Sequence, residues 1–262
     1  MKSTRKLWEE RSKKFGLRKE GVLPKFLPPS VNAYLDNWMY DEVKKQTEKV
    51  VGKNIKVLDL GCGYGRISKR ILSDFPHAIT TGVDIAKSYV KLYNKELYPK
   101  GKAITGDIKK LPFADSSYDV VVVITTLMYL VKKEDRQKAL QEIHRVLKPG
   151  GKFVVIERNI YGHGLVTLGG IVEKLRGKRN KEITAVSFNK NYLAGLLSKH
   201  VGELEEMKGI PCWTLLLPFS IIISFLNNYL AGRLLVLIRI FDRLFSWVLT
   251  PSWYISYTGK SK

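Results

Sequence analysis

The sequence predicts an α/β fold built around a buried parallel strand, and three observations carry that reading. Ile55, Val57, Leu58 and Leu60 make a short β-branched and apolar run. That run ends in a glycine-rich turn, V-L-D-L-G-C-G-Y-G-R over residues 57–66. The turn opens a helix in which Ile67, Ile71 and Phe75 recur at helical spacing, with Lys69, Arg70 and Asp74 on the opposite side. Where glycines carry a strand into a helix, the missing side chains let a ligand approach the backbone N–H groups.

The next element, residues 79–84 (I-T-T-G-V-D), reads as a second strand. It ends in Asp84, roughly twenty residues after the turn, the interval at which a carboxylate takes ribose hydroxyls. Glycine spacing then selects the cofactor. A dinucleotide fingerprint would put glycines at 61, 63 and 66, but position 66 is Arg66 and the spacing is G-x-G-x-G, with Asp59 inside the strand end. S-adenosylmethionine has no pyrophosphate and carries an α-amino group and a sulfonium, so an acid beside the turn suits it better than a dinucleotide. Taken singly, Asp59, Asp84 or Asp107 fits a helix N-cap equally well.

On these residues the chain resembles the class I S-adenosylmethionine-dependent methyltransferases, and the resemblance continues in order through residue 157. It implies a Rossmann-like, doubly wound and mostly parallel seven-stranded sheet with an antiparallel last strand. It implies S-adenosylmethionine as cofactor, held at the turn by Asp59, Gly61, Cys62, Gly63 and Gly65, and at the ribose by Asp84 with Ile85 beside it. In G-D-I over residues 106–108, followed by L-P-F at 111–113, it gives Asp107 the adenine amino group and Ile108 the ring face. Residues 118–126 are similar to the family's fourth strand, with Thr125 at its cofactor-facing exit. L-K-P-G-G over 147–151 is similar to the loop entering the fifth strand, and its proline and glycines end the helix that carries Leu140, Ile143 and Leu147. Asp119 reads as a strand-start or capping residue.

Beyond the fifth strand, residues 158–164 form a loop which, with residues 125–130, borders the acceptor pocket, because open α/β sheets bind ligands outside the carboxyl ends of their strands. If the acceptor is a hydroxyl or an acidic carbon, His163 in that loop is the candidate base and Tyr129 a second catalytic candidate. Glu157, Arg158 and Tyr161 are further pocket candidates, whereas His77, His144 and His200 read as structural or solvent-facing. No metal site is indicated. Residues 188–199 read as a helix and 201–210 as a sixth strand. Residues 253–259 (W-Y-I-S-Y-T-G) alternate like a final strand, antiparallel by the resemblance.

Residues 1–50 are expected to form an N-terminal cap, with a helix over 31–50 in which Tyr34 and Trp38 either shield the reactive methyl from water or pack the helix on the core. Residues 51–262 then make the methyltransferase domain, with an apolar helical insertion at 209–250. No charge occurs over residues 209–232, and a membrane span needs roughly 20 apolar residues. Pro211, Pro218 and the pair Asn227-Asn228 argue against a span, as does the need to return the last strand to the sheet. Over residues 234–249, Arg239, Asp242, Arg243 and Ser246 fall on one narrow helical stripe. Leu234, Leu237, Ile238, Phe241, Leu244, Phe245, Trp247 and Val248 cover a broad remainder. Such a helix fits a membrane interface with Trp247 at headgroup depth, a pocket lid, or a homodimer surface.

At 262 residues, 45% hydrophobic and 26% charged, the chain can bury one substantial core. Lys and Arg number 45 against 24 Asp and Glu, a net charge of +21 that invites nucleic acid or an anionic membrane surface. The bias runs along the whole chain, densest at residues 174–181. Nucleic acid is the weaker partner. The fourth-strand exit, I-T-T-L-M-Y over 124–129, lacks the Asp/Asn-Pro-Pro-aromatic loop of exocyclic-amine methyltransferases, and no cysteine stands where pyrimidine C5 chemistry needs one. Cys62 and Cys212 are too far apart in sequence to suggest a disulfide framework, so a reducing cytosol fits. Residues 1–25 lack the apolar segment of a signal peptide. The resulting expectation is a cytoplasmic enzyme, peripherally membrane-associated through 209–250. It methylates a small or lipid-like acceptor such as an isoprenoid quinone precursor, a lipid or a lipid-linked sugar. Methylation of nucleic acid and a non-catalytic cofactor-binding subunit are the alternatives.

Overall fold

The computed structural model describes residues 3–24, 27–52, 54–162, 185–210, 227–244, 247 and 252–262. Seven strands form one sheet: β1 Lys56–Leu60, β2 Ile79–Asp84, β3 Gly101–Thr105, β4 Tyr118–Ile124, β5 Leu147–Arg158, β6 Gly202–Ile210 and β7 Tyr254–Ser261. Their order is β3-β2-β1-β4-β5-β7-β6. Strands β1 to β5 pair in parallel, and β7 inserts antiparallel between β5 and β6. The expected fold class is the observed one. Chain order reverses between β1 and β4, so their carboxyl ends form the crevice in which such sheets take ligands.

Alternation along the inner strands builds two core layers. Val57, Val120, Val122, Val154 and Ile156 point to one face, and Leu58, Val121, Val123, Phe153 and Val155 to the other. Helices α2 (Pro29–Glu48), α3 (Arg66–Asp74) and α7 (Asn228–Leu244) cover the first face, and α5 (Lys133–Val146) with α6 (Lys190–His200) the second. Helix α4 (Lys87–Leu97) packs Tyr93 and Leu97 against Ala103 of β3. Before them lie α1 (Thr4–Phe15) and a 3-10 turn, Lys19–Gly21.

Of the two roles open to Tyr34 and Trp38, the structure shows core packing. Leu35, Met39 and Val43 of α2 are fully buried in one cluster with Val57 and Val120, so α2 belongs to the core. Tyr34 and Trp38 are buried there too, the Trp38 indole N–H donating to the Tyr34 hydroxyl at 3.1 Å, and neither lines the cofactor crevice. Covering that crevice falls to α1. The L-K-P-G-G segment is also not a free loop, because β5 begins at Leu147, which pairs with Tyr118. Asp119 is structural: it accepts the Lys56 N–H at 2.9 Å and the Lys148 ammonium at 2.6 Å.

In the insertion, α7 buries Ala231, Leu235 and Ile238, and its Arg239 pairs with Asp41 of α2, so that charge faces inward. Residues 211–226, Phe245, Ser246 and Val248, and the side chains of Phe241, Asp242 and Arg243, lie outside the described residues. No described helix is long and apolar enough to cross a membrane.

Candidate functional site

A cavity of about 250 Å³ opens at the carboxyl ends of β1, β2 and β4. Its floor is the glycine turn. Gly61 has φ 74°, and a Cβ there would stand 2.2 Å from the Thr126 hydroxyl, so only glycine lets the β1 turn press against the β4 exit. Gly65 serves a different purpose from the one expected of it. It starts α3 in the left-handed conformation at φ 85°, where a Cβ would meet Leu97 and Tyr93 of α4 at 2.7 and 2.8 Å, and it does not line the cavity.

Asp84, the last residue of β2, uses Oδ2 to accept the Gly63 N–H and Oδ1 to accept the Ala86 N–H, both at 2.8 Å. A carboxylate has about four lone-pair sites, so each oxygen keeps one for a ribose hydroxyl. Burial pushes Asp84 up to about 6 against the pull of those N–H groups. Asp59 is also buried and pushed up to about 6 by desolvation, although it accepts the Ser68 hydroxyl at 2.8 Å and feels Arg66. Two buried acids on one wall suit a ligand carrying positive charge. Asp107 caps Lys109 at 3.0 Å, and the Lys109 ammonium lies 3.6 Å from Asp107 and 3.4 Å from Asp135. Ile108 is buried beside them with its side chain in the core.

A second stretch of the lining is the turn after β4. Thr125 sits at φ 50°, uncommon for a β-branched residue and therefore held by its surroundings. The holder is Glu157 at the end of β5. Its Oε1 accepts the N–H groups of Thr126 and Leu127 at 2.9 and 2.6 Å, and its Oε2 that of Met128 at 3.3 Å. Burial pushes Glu157 up to about 8, opposed by the same three donors. Glu157 does not line the cavity; it fixes the turn that presents Tyr129. Desolvation lifts Tyr129 to about 12, which makes it a neutral phenol, a hydrogen-bond donor rather than a base, near neutral pH. The Trp8 ring of α1 meets Tyr129 edge-on at 5.2 Å, and Val22 stands over Gly63 of the glycine turn.

The structure thus brings Asp59, Gly61, Cys62, Gly63, Asp84, Ile85, Asp107, Ile108, Thr125 and Tyr129 to one cavity. His163 lies outside the described residues. Sequence reasoning missed Trp8, Val22, Arg66, Tyr89 and Asp135 as lining residues. Of these only Arg66 carried a signal, its place at the end of the glycine turn. Among the described residues, no three His, Cys, Asp or Glu side chains converge as a metal site. The acids and glycine backbone of the lining fit the methyl donor's ribose, adenine and cationic parts.

Residues 58–155 match the profile of a methyltransferase domain. The chain is 34% identical over 164 residues to the sterol 4-C-methyltransferase strm-1 of Caenorhabditis elegans, covering 60% of this chain and 43% of that protein. It is 31% identical over 140 residues to the demethylmenaquinone methyltransferase of Chlamydia caviae, covering 53% of this chain and 58% of that protein. The chain therefore spans about half the length of these curated relatives. Among solved structures, geranyl diphosphate methyltransferase in complex with S-adenosylmethionine superposes with a TM-score of 0.59 at 14% identity, covering 85% of each chain, a likeness of fold. With its sheet order, its acid-lined glycine turn and this domain match, the chain carries the domain of the class I S-adenosylmethionine-dependent methyltransferases, and S-adenosylmethionine is its cofactor.

Proposed function

We propose that the chain transfers a methyl group from S-adenosylmethionine to a lipid-like acceptor of the sterol or prenylated-quinone kind. The observation that carries this reading is the mixed lining of the cavity: Asp59, Asp84, Asp107 and the glycine backbone are joined there by Trp8, Val22, Ile124, Tyr129 and Leu130. When bound, the cofactor supplies a methyl on a positively charged sulfonium, an electrophile that needs an acceptor close, in line and free of water. Asp84 holds the ribose, Asp107 and Ile108 hold the adenine, and Asp59 offsets positive charge. Trp8 and Tyr129 exclude water from the transfer region and offer apolar surface to the acceptor body. The two relatives, a sterol and a demethylmenaquinone methyltransferase by name, support an acceptor of this class.

The test is to incubate the protein with radiolabelled methyl donor and separate lipid, RNA and small-molecule extracts. Label in the apolar lipid fraction upholds the proposal. Label in RNA alone, or cofactor binding with no transfer to any fraction, overturns it.

A further inference from the structure

Helix α7 turns one face to the domain and leaves the other bare. Ala231, Leu235 and Ile238 are buried, and Arg239 reaches inward to Asp41. Across the helix, Tyr229, Leu230, Val236, Leu237, Ile240 and Leu244 are exposed, Tyr229 at 75% and Leu237 at 57%. At 3.6 residues per turn these positions fall in a single arc about 120° wide and about 24 Å long. Trp247, 71% exposed, follows the helix. A helix that buries one stripe ordinarily sets charges on the opposite side. Here the described exposed residues of the arc carry one charge, Arg233, and no acid. Single exposed apolar residues are common, but a continuous arc of them marks a contact surface.

We infer that this arc lies in the plane of an anionic lipid bilayer. Charge chooses the occupant. A second copy related by a twofold axis would bring two Arg233 side chains into an apolar seam that offers no carboxylate from the arc, and burying unpaired cations is strongly unfavourable. Lipid phosphates, by contrast, pair with guanidinium. The net charge of +21 likewise repels another copy and draws the chain to a negative surface. Aromatic residues with polar tips, Tyr229 and Trp247, stand near the two ends of the arc and suit headgroup depth, while Leu230, Val236, Leu237, Ile240 and Leu244 enter the acyl boundary. The helix has 17 residues and no described helix can span a bilayer, so it lies on the surface. This deepens the proposed function by naming where an apolar acceptor is met, and rests on that reading for this point alone.

The experiment is flotation of the full chain with phosphatidylglycerol–phosphatidylcholine vesicles, comparing the parent with Leu237→Glu plus Ile240→Glu, two exposed positions remote from the cavity. The parent is expected to float. The double variant should bind at least tenfold more weakly while keeping its unfolding temperature and its cofactor affinity. Arg233→Glu alone, a milder change, should weaken the preference for anionic over neutral vesicles. A parent that does not float, or variants that float as it does, would overturn the inference. So would a dimer of the parent, seen by sedimentation velocity, that the double variant converts to monomer. Transfer to detergent-dispersed acceptor is measured in parallel: transfer without flotation removes the membrane surface alone, and flotation without transfer upholds the surface while removing the proposed function.

Discussion

Asp84 makes the sharpest demand on the chemistry, because in the proposed function the same carboxylate that ties the glycine turn to β2 also accepts the ribose hydroxyls. Charge-assisted hydrogen bonds contribute about 1.5 to 3 kcal/mol each, so Asp84→Asn should weaken cofactor binding at least tenfold by calorimetry while the fold persists. Only the ionised form has acceptors to spare. With the group pushed up to about 6 by burial, affinity should be level above pH 7 and fall by about tenfold per pH unit once pH drops below 6. The stability of the cofactor-free protein carries the opposite sign. Asp59 and Asp84 both hold protons more readily folded than unfolded, so their contribution is fully present below about pH 4 and is lost as pH rises through 6. Glu157 acts through the backbone instead. Glu157→Ala would leave the buried N–H groups of Leu127 and Met128 unpaired, each costing about 1 to 3 kcal/mol, and would free the part-buried one of Thr126. Thermal unfolding should drop by several degrees and transfer should fall further than cofactor affinity, since the disturbed turn carries Tyr129. Equal losses in both, or neither, would argue against that positioning role.

Among the elements, α1 depends most on its partners. Its Glu9 accepts the Lys87 N–H at 2.5 Å, the Ser88 N–H at 3.3 Å and the Ser88 hydroxyl, and so caps α4, whose own N-cap residue, Ala86, offers no side-chain hydrogen bond. Replacing Glu9 by Ala should release α1 from the pocket. Hydrogen exchange should then show faster exchange over residues 4–15 with α2 unchanged, and the cofactor should dissociate faster. Unaltered exchange would mean that Trp8 and the Arg11 bonds to the Glu20 and Leu23 carbonyls suffice to hold the helix. Nothing in T-R-K-L-W-E-E-R-S-K-K-F announces this, since Ser12 is its one buried residue and its docking is made with side chains some eighty positions away. The inner strands were legible because their β-branched runs are buried on both faces, and Asp84 because a strand end places it. Gly65 was misread because a glycine needed for helix packing looks the same in sequence as one needed for a ligand. The direction of Arg239 was hidden for a similar reason: a charge on a helix is taken for solvent-facing until Asp41, on another helix, is found opposite it.

For the molecule as a whole, the net charge of +21 sets how stability and surface binding answer to salt. Partly exposed pairs such as Lys45–Glu206 contribute about 0 to 1 kcal/mol each, and salt weakens them. Against these stands the mutual repulsion of the unmatched cations. A compact chain of this length has a radius of gyration of about 18 Å. The Debye length is about 30 Å at 0.01 M salt and about 8 Å at 0.15 M, so repulsion acts across the entire fold at low salt and only between near neighbours at physiological strength. Screening therefore relieves more than it removes, and the unfolding temperature should rise over that range. Vesicle binding should move the other way, because the same screening weakens attraction to lipid phosphates while the apolar contact of Leu237, Ile240 and Trp247 is insensitive to it. Binding should decline without vanishing. Scanning fluorimetry and flotation on one salt series would read both trends. If the unfolding temperature fell together with vesicle binding, specific ion pairs rather than net charge would govern stability, and the basic surplus would be accommodated in the fold by local pairing.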